Sequence, residues 1–200
     1  MAMMNEFTVL NIRDKLRQGK SGEDFLMRVL PTFACPVNPD VERFLVCQSI
    51  DFIKRNQSVT YLVFSRDDGR LVGYFTLTIK PISVNASAFS RTMRRKIERV
   101  SEVNEQTGEY ILAAYLIAQL GKNYKDGMNE RITGAQLLQS AIDAIRDAQY
   151  RLGGTVVFLE ADNVDKLFAF YEANGFKRFA VRKSRGTQDQ HKLVQLLKVM

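Results

Sequence analysis

Eleven consecutive residues, Tyr110-Ile111-Leu112-Ala113-Ala114-Tyr115-Leu116-Ile117-Ala118-Gln119-Leu120, carry no charge. A membrane span needs roughly 18 or more apolar residues, so this run is too short to be one. Its content suits a strand buried on both faces, at the centre of a sheet. The rest of the chain must then supply neighbouring strands and covering helices.

Two strands precede it. Val59-Thr60-Tyr61-Leu62-Val63-Phe64 and Leu71-Val72-Gly73-Tyr74-Phe75-Thr76-Leu77-Thr78-Ile79 are rich in β-branched and aromatic residues. Arg66-Asp67-Asp68-Gly69-Arg70 between them carries the Asp-Gly signal of a hairpin. Earlier still, Val41, Phe44, Leu45, Gln48 and Phe52 recur at spacings of three and four after Pro39-Asp40, which predicts a helix ending near Arg55-Asn56. A helix is also expected between Ser87 and Val100. Beyond the central strand, Leu137, Leu138, Ala141, Ile142, Ile145 and Ala148 share one helical face, and Leu152-Gly153-Gly154 end that helix. Then follow a strand at 155–160, a helix at about 163–174, a strand at 176–182, a turn at Arg185-Gly186-Thr187 and a strand at 190–199. A hairpin followed by a strand–helix–strand–helix–strand unit implies a mixed sheet, of class α/β or α+β.

Composition narrows the chemistry. With 200 residues, 46% of them hydrophobic and 26% charged, the chain is expected to fold around one full core, residues 1–58 extending a domain at 59–200. The N-terminus has no basic stretch followed by an apolar one, so a cytoplasmic protein without membrane attachment is expected. Cys35 and Cys47 do not make a disulfide framework, and Cys47 is expected on the apolar side of its helix. The single histidine, His191, leaves no His/Cys cluster for zinc, and no metal is expected. A net charge of +7 suits an anionic partner without selecting one. The densest basic run, Arg91-Thr92-Met93-Arg94-Arg95-Lys96-Ile97-Glu98-Arg99, reads first as a solvated helix face beside Glu98, Glu102 and Glu105, with no aromatic run on which bases would stack.

Two segments carry chemistry. Phe170-Tyr171-Glu172-Ala173-Asn174-Gly175-Phe176 ends a helix at a glycine that accepts the left-handed conformation, then restarts an apolar strand. A phenol held at that helix end is either packing or a proton donor. The second segment is a helix start, Thr133-Gly134-Ala135, whose small residues and unpaired N–H groups suit a phosphate or serve packing alone. It lacks the Lys-Ser/Thr of a nucleotide-hydrolase loop and the three-glycine dinucleotide fingerprint.

From about Val59 to Val199 this order of elements resembles the GNAT superfamily of N-acetyltransferases. Phe170-Tyr171 through Gly175-Phe176 match its late Phe/Leu-Tyr-x-x-x-Gly-Phe signature. In its cofactor loop, Gln/Arg-x-x-Gly-x-Gly/Ala, Gly134 matches the last small residue and Leu137-Leu138 the helix that follows, while Asn129 and Ile132 depart from the pattern. The resemblance implies acetyl-CoA as cosubstrate, its pantetheine arm on the backbone of Leu120, Gly121 and Lys122. Its pyrophosphate would lie on Ile132, Thr133, Gly134 and Ala135, with Arg131 or Lys122 as compensating charges, and Asn163 and Phe170 would be further cofactor-binding residues. Tyr171 is then the general acid that protonates the departing thiolate, and Glu160 a candidate base. Asn163 otherwise reads as a helix N-cap. Glu109, at the opposite end of the central strand, is too distant for that role.

The main expectation is therefore an acetyl-CoA-dependent N-acetyltransferase acting on a primary amine, monomeric or homodimeric, resembling a bacterial subgroup of the superfamily. Leu116-Ile117-Ala118-Gln119-Leu120-Gly121 and Leu193-Val194-Gln195-Leu196-Leu197 also look like GNAT toxins that acetylate aminoacyl-tRNA, which makes nucleic acid an alternative partner. A non-catalytic acyl-CoA-binding or interaction module is the remaining alternative.

Overall fold

The structure, a computed structural model, describes residues 6–183 and 192–200. The expected turn at Arg185-Gly186-Thr187 and His191 lie outside the described residues. In chain order the strands are β1 (Phe7–Asn11), β2 (Val59–Ser65), β3 (Leu71–Asn85), β4 (Val103–Asn104), β5 (Glu109–Lys122), β6 (Val156–Asp162), β7 (Lys177–Lys183) and β8 (Lys192–Val199). The α-helices are α1 (Ile12–Leu16), α2 (Lys20–Val29), α3 (Pro39–Arg43), α4 (Ser49–Lys54), α5 (Arg91–Ile97), α6 (Gly134–Leu152) and α7 (Asp165–Ala173). Hydrogen bonding orders the strands β1-β2-β3-β5-β6-β8-β7, with β4 on β5. The β5–β6 ladder is parallel, and β1–β2, β2–β3, β4–β5, β6–β8 and β7–β8 are antiparallel. This is the mixed, mostly antiparallel sheet that the element order predicts, with β5 inside it.

Two compact units divide the chain: Met1–Thr78 with Ala118–Ile145, and Ile79–Ile117 with Arg146–Met200. The first unit gathers the expected extension 1–58 with the β2–β3 hairpin and the end of β5. Its core joins Ile12, Leu26, Leu30, Phe33, Val41, Phe44, Leu45 and Ile53 to Leu62, Leu71 and Tyr74. Close packing of this kind leaves no room for extra atoms. A Cβ on Gly121 would lie 2.5 Å from Val41, and one on Gly73 would lie 2.9 Å from the Gly121 carbonyl. The Tyr74 hydroxyl donates to the Val41 carbonyl at 2.5 Å, tying the N-terminal segment down. The hairpin forms as predicted, with Gly69 at φ +67° in its turn and a register shift between Val63 and Phe64.

Two features of this unit depart from the periodicity. The segment before α1 is a strand, β1, paired with β2 over all five of its residues. The helix expected over Val41–Arg55 is interrupted by a π-helical turn at Phe44–Gln48. One inserted residue rotates the apolar stripe, so Cys47 is exposed rather than on the apolar side, while Cys35 is buried and both thiols are free.

The second unit has its own core, in which Ile82 and Val84 of β3, Tyr110, Leu112, Ala114 and Leu116 of β5, Val156 and Phe158 of β6 and Leu197 of β8 meet Phe89 and Ile97 around α5. The helix expected over Ser87–Val100 is shorter because Ser90 caps α5, accepting from the Met93 amide, and Asn85 caps a 3-10 turn at Ala86–Ala88. Gly153 and Gly154, both at positive φ, end the α6 segment where the Tyr115 hydroxyl donates to the Gly153 carbonyl.

Candidate functional site

In the first unit, β5 ends on Leu120, Gly121 and Lys122 and leads through a 3-10 stretch, Lys125–Glu130, into α6. Asn123 anchors that exit. It is 2% exposed, and its side chain makes four hydrogen bonds. Its amide group donates to the carbonyls of Thr32 and Leu71, and its oxygen accepts from the amides of Ala34 and Lys125. A buried amide satisfied at every position is a rigid pin. The strand pattern contained no signal for it, because three of its four partners come from distant parts of the chain.

The charges expected to face a pyrophosphate are already engaged. Arg131 pairs with Asp68 of the hairpin turn, and Arg70 of that turn pairs with Asp126 at 2.7 Å. Lys122 Nζ donates to the Asn129 carbonyl at 2.6 Å. Asp68 titrates below the usual carboxylate range: burial would raise it, and the Arg70 amide and the Arg131 guanidinium outweigh that. Ile132, which stands at the position of a family glycine, is 1% exposed and serves as core.

At the start of α6, Thr133 and Gln136 form a capping box. The Gln136 amide donates to Thr133 Oγ1 at 3.1 Å, and the Thr133 amide donates to Gln136 Oε1 at 2.9 Å. The first intrahelical bond runs from the Leu137 amide to the Thr133 carbonyl. The amides of Gly134 and Ala135 precede it and have no carbonyl one turn earlier to receive them. A small-residue helix start with two outward amides fits a phosphate group. The Thr-x-x-Gln spacing is a legible sign of this box.

In the second unit, the heptad Phe170–Phe176 forms a complete Schellman motif. The Phe176 amide donates to the Tyr171 carbonyl at 3.0 Å and the Gly175 amide to the Glu172 carbonyl at 3.0 Å, with Gly175 at φ +84°. The Tyr171 ring stands edge-on to Phe170 and Phe176, with centroids 5.0 and 5.9 Å away. Phe176 is buried, and Lys198 Nζ donates to the Asn174 carbonyl at 3.0 Å, fixing the helix end. The Tyr171 hydroxyl has no hydrogen-bond partner among the described residues, and burial pushes its pKa up to about 12. It is therefore a neutral donor, oriented by ring packing alone. Asn163 is exposed and does not cap α7, whose cap position is Val164.

Glu160 is held differently. Arg182 grips its carboxylate with both Nε and Nη2, and Gln195 Nε2 donates to Oε1 at 2.8 Å. Burial would raise its pKa; the bonds from Arg182 and Gln195 and the charges of Arg182 and Lys80 lower it on balance. A carboxylate so occupied has little affinity for a proton. Among the described residues no cluster of three or more His, Cys, Asp or Glu could hold a metal ion, and no helix is long and apolar enough to cross a membrane.

The strand order, the parallel β5–β6 step and the Schellman-ended helix define a GNAT-like fold. Neither a protein-family model nor a curated protein sequence matches the chain. Solved structures of two proteins named AtaT and KacT share the fold. AtaT complexed with acetyl-methionyl-tRNAfMet superposes with a TM-score of 0.62 at 15% identity, covering 94% of this chain and 93% of its own. A tyrosine-to-phenylalanine variant of KacT gives 0.60 at 17% identity over 94% of each chain. AtaTR bound with AcCoA gives 0.56 at 16% identity, over 96% of this chain and 94% of its own.

Proposed function

We propose that the chain is an acetyl-CoA-dependent N-acetyltransferase and that the amine it acetylates is carried on an aminoacyl-tRNA. The observation that carries the enzymatic reading is the Tyr171 hydroxyl, without a hydrogen-bond partner among the described residues and fixed by two aromatic rings at a helix end. The tRNA-borne acceptor is favoured over a free small amine by the likeness to AtaT complexed with acetyl-methionyl-tRNAfMet and by the net charge of +7.

Acetyl-CoA supplies an activated thioester carbonyl. The Gly134 and Ala135 amides bind a phosphate of the pyrophosphate, and the backbone of Leu120–Lys122 pairs with the pantetheine arm. As the C–S bond breaks and the C–N bond forms, Tyr171 would give its proton to the sulfur, the nitrogen's surplus proton would pass to solvent, and solvent would return a proton to the tyrosine. Since a thiol has a pKa of about 8.5, the acid contributes roughly 10²- to 10⁴-fold and is not indispensable. Glu160, already gripped by Arg182 of β7 and Gln195 of β8, ties β6 to those strands instead of taking the amine's proton.

The test is transfer of labelled acetyl groups to charged tRNA, uncharged tRNA and a panel of small amines. The expected result is label on charged tRNA alone. Transfer to small amines alone overturns the tRNA acceptor, and cofactor binding without any transfer overturns the enzyme.

A further inference from the structure

The basic run first read as a solvated face is better ordered than that reading requires. Phe89, Met93 and Ile97 repeat every four residues and point into the second unit's core, with Phe89 4% and Ile97 0% exposed and Met93 packed against the cluster. The other side of α5 therefore faces solvent. Arg91 and Arg95 lie on it one turn apart, Lys96 flanks them and Arg99 follows just beyond the helix, all exposed. At 1.5 Å per residue the backbone positions of Arg91 and Arg95 are about 6 Å apart along the axis. None of Arg91, Arg94, Arg95, Lys96 or Arg99 forms an ion pair among the described residues. Of the carboxylates beside the run, Glu98 accepts from the Tyr110 hydroxyl at 3.2 Å, and none of Glu98, Glu102 and Glu105 pairs with these cations among the described residues. Helix-dipole complementarity accounts for cations in the last turn, namely Arg94, Arg95 and Lys96, but not for Arg91 in the first.

We infer that α5 is a docking surface for the phosphate backbone of double-helical RNA, read without regard to sequence. Of the four exposed cations three, Arg91, Arg95 and Arg99, are arginine, whose planar fork pairs bidentately with phosphate, while Arg94 is half-buried and donates to the Phe89 carbonyl at 3.2 Å. The aromatics beside them, Phe89 and Tyr110, are buried at 4% and 2% exposure, so no platform remains for the stacked bases of a single strand. The inference deepens the tRNA reading above and rests on it for the choice of RNA. It concerns binding alone and is tested without acetyl transfer.

The experiment is fluorescence anisotropy of a short, uncharged RNA hairpin of arbitrary sequence over a salt series, using the full chain. The variants are R91A/R95A/R99A and, as a charge control on exposed residues of α4 and its C-cap, K54A/R55A. The triple variant is expected to bind more weakly, with the salt dependence shallower by about 0.7–0.9 per lost arginine, or about two to three in all. K54A/R55A retains the full slope. An unchanged slope in the triple variant, an equal loss in the control, or tighter binding of polyglutamate than of RNA overturns the surface. A circular dichroism melt of the triple variant within a few degrees of the parent confirms that any loss is not unfolding, and R91K/R95K/R99K, which keeps the charges, retains the slope if the first variant fails to fold. Loss of RNA binding by the triple variant in a protein that acetylates only small amines would uphold this surface while overturning the tRNA acceptor.

Discussion

At the scale of single residues, Tyr171 and Glu160 show how environment separates two candidates for proton transfer. Burial raises the phenol to about 12, so it is protonated throughout the neutral range and no loss of activity is expected from its ionisation between pH 7 and 10. Tyr171→Phe is expected to lower turnover by roughly 10²- to 10⁴-fold with acetyl-CoA affinity unchanged, measured by thiol release beside calorimetric binding; unchanged turnover would leave the ring a packing role only. Glu160 is lowered, not raised. Its contribution to stability is therefore present above the ordinary carboxylate pKa and lost as pH falls through the lower folded value. Glu160→Gln should cost about 1.5–3 kcal/mol at neutral pH by urea unfolding. The gap between the two proteins should close under acid, and a gap that widens there contradicts the ion pair.

Among the elements, helix ends matter most. Gly175 sits at φ +84° in the Schellman motif, where a Cβ is strained, so Gly175→Ala should destabilise by about 1–2 kcal/mol in denaturant unfolding. The Thr133/Gln136 box at the start of α6 makes a contrasting case. Thr133→Ala should cost about 1 kcal/mol of stability, readable in the same unfolding experiment. Gly134→Val, by crowding the two outward amides, should weaken acetyl-CoA binding with little effect on the melting temperature of the free protein. Retained affinity would mean that the phosphate does not sit at this helix start. The heptad was legible because a Schellman motif is local chemistry: a glycine at C′ and an apolar contact between C″ and C3. The capping box was equally local. The π-helical turn at Phe44–Gln48 was not, since the three-and-four spacing of Val41, Phe44, Leu45 and Phe52 contains nothing that announces an inserted residue.

For the whole molecule, the consequence of the proposed function is linkage. Acetyl-CoA at about a hundredfold excess over its dissociation constant should stabilise the fold by about 2.7 kcal/mol. The expected readout is a rise in melting temperature; no shift at millimolar cofactor would remove the acetyl-CoA assignment. The N-terminal segment belongs to the same balance, because Val41, Phe33 and Tyr74 close around Gly121 at the end of β5. Gly121→Ala should therefore destabilise by about 1–3 kcal/mol through overpacking.

The class of sheet, the hairpin at Asp68-Gly69, the place of β5 inside the sheet and the helix stop at Gly175 followed from sequence alone, since each rests on the period of apolar residues or on a glycine's backbone freedom; the expected burial of the central strand on both faces holds only over Ala114–Ile117, Ile111 being 66% exposed. Tertiary structure decided the rest. The edge strand Phe7–Asn11 exists because β2 offers it a hydrogen-bonding partner, and the insertion of β8 between β6 and β7 is a choice of pairing, not of composition. Asn123, a polar residue in a loop, became a buried pin only when segments 30–35 and 71–72 closed over it. Arg131 and Lys122 could be read as free charges until their partners, Asp68 and the Asn129 carbonyl, were in place. A pattern of residues fixes which groups are available; which of them remain unpaired, as the Tyr171 hydroxyl, Arg91 and Arg95 do among the described residues, depends on long-range packing that no local spacing encodes.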